Sequence, residues 1–307
     1  MGKIAFVFPG QGSQYVGMGK ELYDNYGIAK EVFDEANQIL GRDLTAIIFN
    51  GPEEDLKDTR NAQPGILTTS IALYRILQSE GVEPDFVAGH SLGEYSALVA
   101  ANAISFGEAI SLVQERANLM AEADPSGNGA MAAVLGMERE KLNQLLKQVS
   151  QVEAANYNCP GQIVVSGAKN GIAELQNLVT AEGAKFIPLA VSGAFHSSFM
   201  KEAAVKLRPS LAKIQWQEPK VPVIANITAK PVSKEQLADS LYQQIFSSVL
   251  WEDSLLALKE SGVETFVEVG PGKVLSGLVK KTIKGSTITN CEDENSLKKA
   301  LAILKEV

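Results

Sequence analysis

Runs in which almost every position is apolar alternate along this chain with longer stretches in which apolar residues recur at helical spacing, the pattern of an α/β protein. Residues 3–8 read as a buried strand, 20–40 as helical, and 63–78 as a more uniformly apolar, buried helix. A second short apolar strand at 85–89 leads through a tight turn into a helix over 95–103. Ser105-Phe106-Gly107-Glu108 has the form of a capping box, and Phe106, Ala109, Ile110, Val113, Ala117 and Met120 then follow one helical face.

The texture changes at Asp124-Pro125-Ser126-Gly127-Asn128-Gly129, a turn-rich linker. Beyond it the pattern predicts strand 130–135, a helix bearing Leu142, Leu145, Leu146 and Val149, and strands 152–157 and 162–166 about a turn at 158–161. A helix bearing Ile172, Leu175 and Val179 and a strand over 185–191 complete the set. The order βαββαβ is the ferredoxin-like unit, expected here as a small inserted subdomain over 126–195. Alternating α and β texture then returns, with strands at 221–225 and 264–269 and a helix from Lys273. Segments 1–125 and 196–307 are therefore expected to share one core built on a parallel-dominated sheet.

A length of 307 residues suits one large domain with an insertion, or two domains. No apolar run is long enough to span a membrane, and the chain opens into a strand without a signal-peptide cleavage region. A net charge of −8 argues against nucleic acid as the main partner. Cys159 and Cys291 are too few for a disulfide framework and lack metal-ligand spacing. They read as bland thiols in a reducing cytoplasm.

The candidate chemistry starts at Gly89-His90-Ser91-Leu92-Gly93, a G-x-S-x-G turn between strand and helix. In a nucleophile elbow of this form the serine is exposed at a helix N-terminus, so Ser91 is the expected nucleophile. Only His90 and His196 could serve as its base. His90 is held beside the nucleophile with its side chain directed away from that of Ser91, whereas His196 lies in the loop Ser192-Gly193-Ala194-Phe195-His196, so His196 is favoured. With no obvious acid between Ser91 and His196, a backbone carbonyl or an amide is expected to orient the imidazole in place of a carboxylate. Pro9-Gly10-Gln11-Gly12-Ser13-Gln14 is either a plain turn or a loop lending an N–H group to the site. Arg116 falls inside the apolar stripe of its helix and needs an anion, either a structural carboxylate or one belonging to a substrate.

The segments Phe8-Pro9-Gly10-Gln11-Gly12-Ser13-Gln14, Gly89-His90-Ser91-Leu92-Gly93-Glu94, Asn156-x-Asn158-x-Pro160-Gly161-Gln162, His196-Ser197 and Glu268-x-Gly270-Pro271-Gly272, with Arg116 and Gln244, resemble the malonyl-CoA:acyl carrier protein transacylases across the whole chain. The resemblance implies an α/β-hydrolase-like core with the inserted ferredoxin-like subdomain. It also implies malonyl transfer from malonyl-CoA, through an ester on Ser91, to the phosphopantetheine thiol of holo acyl carrier protein, in fatty acid synthesis. His196 would then be the general acid/base, the Gln11 and Leu92 backbone N–H groups the oxyanion hole, and Arg116 the malonyl carboxylate's partner. The region of Gln244 would supply the carbonyl that orients His196. The family's Ala-Phe-His pattern places Phe195 against the malonyl α-carbon. Ser248 departs from the proline the family often has there. No cofactor and no metal are expected, and a cytoplasmic monomer is. A discrete polyketide acyltransferase would share nearly every motif, and a serine hydrolase is the alternative of another class.

Overall fold

The computed structural model describes residues 2–124, 126–191 and 193–305, so Pro125 and Ser192 of the predicted linkers lie outside the described residues. The chain opens with β1 (Lys3–Phe8), in which Ala5, Phe6, Val7 and Phe8 are all fully buried, as expected of a parallel strand covered on both faces. The stretch predicted as helical over 20–40 is two helices, α1 (Lys20–Asn25) and α2 (Gly27–Leu40), because Tyr26 between them is extended. Two short helices not anticipated from the sequence follow, α3 (Leu44–Asn50) and α4 (Glu53–Lys57). Each has too few residues to display a periodicity.

Helix α5 (Thr59–Ser79) starts earlier than predicted, capped by the Asp58 carboxylate, and tolerates Pro64 inside it. A proline removes the hydrogen bond to the carbonyl four residues back. That carbonyl, of Arg60, accepts instead from the Arg42 and Gln114 side chains at 3.0 and 3.1 Å. The strand of the candidate nucleophile is β2 (Phe86–Gly89), followed by α6 (Gly93–Ala100), buried throughout, and α7 (Phe106–Glu122), where both bonds of the Ser105–Glu108 capping box form.

The middle of the chain gives β3 (Gly129–Leu135), α8 (Arg139–Leu146), β4 (Val152–Cys159), β5 (Gln162–Ala168), α9 (Lys169–Ala181) and β6 (Lys185–Pro188). The last strand is shorter than predicted. The Leu189 N–H still donates to the Met131 carbonyl of β3 at 2.9 Å, and the chain then turns, the Val191 N–H bonding the Leu189 carbonyl at 3.0 Å, as Leu189 to Val191 reach the edge of a cleft. The rest is α10 (Lys201–Lys213), β7 (Val223–Ile224), α11 (Leu237–Gln244), β8 (Val249–Leu250), α12 (Trp251–Glu260), β9 (Val263–Val269), α13 (Val274–Thr282), β10 (Thr287–Cys291) and α14 (Glu294–Leu304).

Five strands form a parallel sheet in the order β10-β9-β1-β2-β7, which joins the two ends of the chain in one core. The second sheet has the order β6-β3-β5-β4-β8. Its first four strands, all from the predicted βαββαβ stretch, pair antiparallel with one another and bury their own apolar cluster, including Val134, Leu142, Val165, Leu175 and Val179. The fifth, β8, comes from the C-terminal part and pairs parallel with β4 through Asn156 and Tyr157, tying the two sheets together.

What positions the site is the contact between β1, β2 and α6. A Cβ on Gly93 would run into the carbonyl of Phe8, and one on Gly89 into the backbone of Gly93. Gly93→Ala should therefore lower the melting temperature by several degrees, an overpacking cost of about 1–3 kcal/mol or more because the obstacle is backbone. Gly277→Ala, at an exposed position of α13 with nothing near its Cβ position, should raise stability by about 0.4–1 kcal/mol. Thermal denaturation of the pair checks this, and equal effects would show that the close approach is slack.

Candidate functional site

Ser91 lies between the end of β2 and the first turn of α6 with φ 52°, a left-handed angle that a residue with a Cβ adopts only when its surroundings hold it there. Two bonds from one side chain do so. Asn226 accepts from the Ser91 N–H at 2.7 Å and donates to the Gly89 carbonyl at 2.6 Å. His90, as its neighbouring position predicts, points elsewhere and pairs through Nε2 with Asn158 Oδ1 at 2.9 Å.

His196 is also at positive φ, 55°, and buried. Its Nδ1–H donates to the backbone carbonyl of Gln244 at 2.8 Å, which leaves Nε2 as the acceptor for the Ser91 hydroxyl at 2.7 Å. The carbonyl is that of Gln244 itself, at the last turn of α11. Burial first, and the nearby Arg116 guanidinium second, push the imidazole pKa down to about 3. The ring is therefore neutral at physiological pH, with its Nε2 lone pair directed at the Ser91 hydroxyl.

Arg116 projects inward from α7 and is only 1 % exposed. Its terminal nitrogens donate to Gln63 Oε1 at 2.6 Å, Gln244 Oε1 at 3.0 Å and Ser91 Oγ at 3.1 Å. Among the described residues no carboxylate reaches it within salt-bridge distance, and its Nε–H has no acceptor. The structural-carboxylate alternative thus fails. A buried guanidinium held only by neutral oxygens favours an arriving anion. The nearest buried carboxylate in the network, Glu94, is one amide away. Gln244 Nε2 donates to Glu94 Oε2 at 2.8 Å and to the Ser91 carbonyl at 2.8 Å. Burial raises the Glu94 pKa to about 7 despite those donors and the Arg116 charge.

Ser91, His196, Arg116 and Gln63 open on a cleft of about 490 Å³. Gln11, Leu92, Phe195, Met120, Met131 and Leu189 are among its walls. Among the described residues neither the Gln11 nor the Leu92 backbone N–H has an acceptor, and Leu92 is the N-cap of α6. Phe195 is 7 % exposed, directly before His196. No group of His, Cys, Asp and Glu among the described residues could hold a metal ion.

The acyl transferase domain profile matches residues 5–301. The malonyl CoA-acyl carrier protein transacylase of Bacillus subtilis (strain 168) is 49 % identical over all of this chain and 98 % of its own length. Among solved structures, the malonyl CoA-acyl carrier protein transacylase of Clostridium perfringens superposes with a TM-score of 0.96 at 41 % identity, covering 99 % of this chain and 98 % of its own. A malonyl-transacylase solved in complex with its type II PKS acyl-carrier protein superposes at 0.95 with 40 % identity, covering 98 % and 99 %. The chain belongs to the malonyl CoA-acyl carrier protein transacylase family.

Within this family framework the site contains three polar residues that the sequence reading did not single out, Gln63, Asn226 and the side chain of Glu94. Gln63 sits in a stretch that reads as a uniformly buried helix, where a glutamine is itself the signal, since a buried amide must be satisfied. Asn226 follows a strand of two residues and has no pattern of its own. Ser248, the departure from the family's proline, donates to the Ala154 carbonyl at 2.5 Å and thereby joins β8 to the second sheet.

With only two histidines in the chain, the transacylase-family fold makes a direct titration simple. In proton–carbon NMR spectra the His196 ring should show no titration step between pH 7.5 and 5, whereas an ordinary histidine titrates near about 6.5. Because the folded ring binds its proton more weakly than the unfolded one, the unfolded chain takes up more protons between about 3 and 6.5. The contribution of His196 to stability is therefore full above about pH 6.5 and declines as pH falls through that window. A step near 6.5 in the folded protein would contradict its burial beside Arg116.

Proposed function

We propose that the protein moves a malonyl group from malonyl-CoA to the phosphopantetheine thiol of holo acyl carrier protein through a malonyl ester on Ser91. The observation that carries this reading is the convergence of Ser91 Oγ on both His196 Nε2 and an Arg116 that lacks a carboxylate partner. The first contact makes a nucleophile, and the second selects an acyl group with its own carboxylate.

His196 Nε2 takes the proton of Ser91 as Oγ attacks the thioester carbonyl, and the oxyanion is received by the N–H groups of Gln11 and Leu92. Collapse breaks the C–S bond, and the imidazolium returns its proton to the departing CoA sulfur. The carrier thiol then gives its proton to His196 and attacks the ester, and the same proton leaves on Ser91 Oγ. The Gln244 carbonyl keeps the required tautomer through both halves, and the malonyl carboxylate enters against Arg116. In this reading 126–195 is the inserted subdomain and 1–125 with 196–307 the catalytic core, acting as a monomer in the cytoplasm without nucleic acid or cofactor. A polyketide-type acceptor is supported by the carrier protein bound to one structural relative, and competition between a fatty-acid and a polyketide carrier protein decides between them.

Intact mass after mixing with malonyl-CoA should rise by one malonyl group, and holo carrier protein should remove it as malonyl carrier. Ser91→Ala should take up nothing. Release as free malonate without an acceptor thiol would favour a hydrolase. Arg116→Ala should lower malonyl loading by orders of magnitude while sparing acetyl loading, since each charge-assisted bond contributes roughly 1.5–3 kcal/mol. Equal loss for both acyl groups would reduce Arg116 to scaffolding. Phe195→Ser should increase methylmalonyl loading relative to malonyl by about tenfold to a hundredfold, as relief of overpacking worth about 1–3 kcal/mol. Competition assays on wild type and variant read this ratio, and equal loading by the wild type would remove Phe195 as a steric filter.

A further inference from the structure

Asn226 occupies the point at which one edge of the parallel sheet stops. Strand β7 pairs with β2 through Val87↔Val223 and Ala88↔Ile224. Continuing that register sets Asn226 opposite His90. In a parallel ladder the residue opposite position i donates its N–H to the carbonyl of i−1 and accepts on its own carbonyl from the N–H of i+1. Here i−1 is Gly89 and i+1 is Ser91. Both bonds are present, but the Asn226 side chain makes them: Nδ2 donates to the Gly89 carbonyl at 2.6 Å and Oδ1 accepts from the Ser91 N–H at 2.7 Å. The Asn226 backbone N–H has turned away to Glu94 Oε2 at 3.2 Å.

We infer that the carboxamide of Asn226 stands in for a missing strand residue and is the positioning residue that holds the nucleophile turn. The β7 backbone can leave the sheet while the Ser91 peptide stays fixed. With it are fixed the direction of Oγ toward His196 and, one residue on, the N–H of Leu92. Asn226 is fully buried and is not among the residues lining the cleft, so it acts on the reaction only through Ser91. This inference rests on Ser91 being the nucleophile, as proposed above.

The test measures malonyl-ester formation by quenched-flow mass spectrometry and steady-state transfer to holo carrier protein. Asn226→Ala should lower the acylation rate and kcat by about a hundredfold, with KM for malonyl-CoA changed less than threefold, the signature of a misaimed nucleophile. Asn226→Asp separates this from general loosening. The carboxylate can still accept from Ser91 but repels the Gly89 carbonyl, whereas the protonated acid restores both bonds. Its activity relative to wild type should therefore rise about tenfold or more between pH 8 and pH 5.5. Taking the ratio to wild type removes titration that the two proteins share, at His90 in the same register and at His196 and Arg116 across Gln244, while Glu94, in contact, titrates as a pair with the new carboxylate and is part of the expected rise. If Asn226→Ala folds and acylates within threefold of wild type, or if the Asp variant's ratio is flat with pH, the inference is wrong. Should the Ala variant fail to fold, the Asp ratio decides. The absence of any Ser91 adduct on the wild type would instead overturn the nucleophile assignment.

Discussion

Ser91 is held at φ 52°, a backbone angle disfavoured for any residue with a Cβ, and the surrounding core is arranged to keep it there. Gly89 and Gly93 let β2 and α6 meet at backbone contact, and β1 passes close enough that Gly93 lies against the Phe8 carbonyl. A Cβ on Gly10 would likewise meet the His90 carbonyl. The loop after β1 is thus pressed against the turn after β2. That contact brings Gln11 to the same cleft as Leu92, though 81 residues separate them in the chain. The parallel sheet is the device that makes this possible, because adjacent parallel strands end on the same side.

Electrostatics is the second constraint. The site buries Arg116, Glu94 and the His196 imidazole in a small volume, yet no ion pair joins Arg116 to a carboxylate among the described residues. Gln244 separates the charges, with Oε1 toward Arg116 and Nε2 toward Glu94. An amide in this position satisfies both groups without neutralising either. The guanidinium therefore keeps its attraction for an incoming anion, and the same positive charge helps keep His196 deprotonated. Glu94, which accepts from the Asn226 N–H as well, links the Ser91 turn to this network. One residue, Gln244, consequently serves three positions, since its backbone carbonyl orients the histidine while its side chain spans the two charges.

The sequence by itself determined the elements whose pattern is local. These are the apolar run of strand β1, the capping box of α7, the βαββαβ order of the middle segment and the glycine spacing about Ser91. It also determined the inward direction of Arg116, because helical periodicity fixes which face a residue occupies. Short helices such as α3 and α4, the two-residue strand β8, the shortening of the strand expected over 221–225 to Val223–Ile224, and the break at Tyr26 were beyond it. Each is too brief to establish a period and is held by contacts with distant parts of the chain. What only the tertiary structure decided is the partner of each buried polar group. Arg116 could have met a carboxylate or a carboxamide, and the packing of α5 against α7 supplied Gln63 while the end of α11 supplied Gln244. Asn226 was invisible for the same reason. A single asparagine after a strand is ordinary in sequence, and its role arises only where the sheet register sets it opposite His90, 136 residues away in the chain.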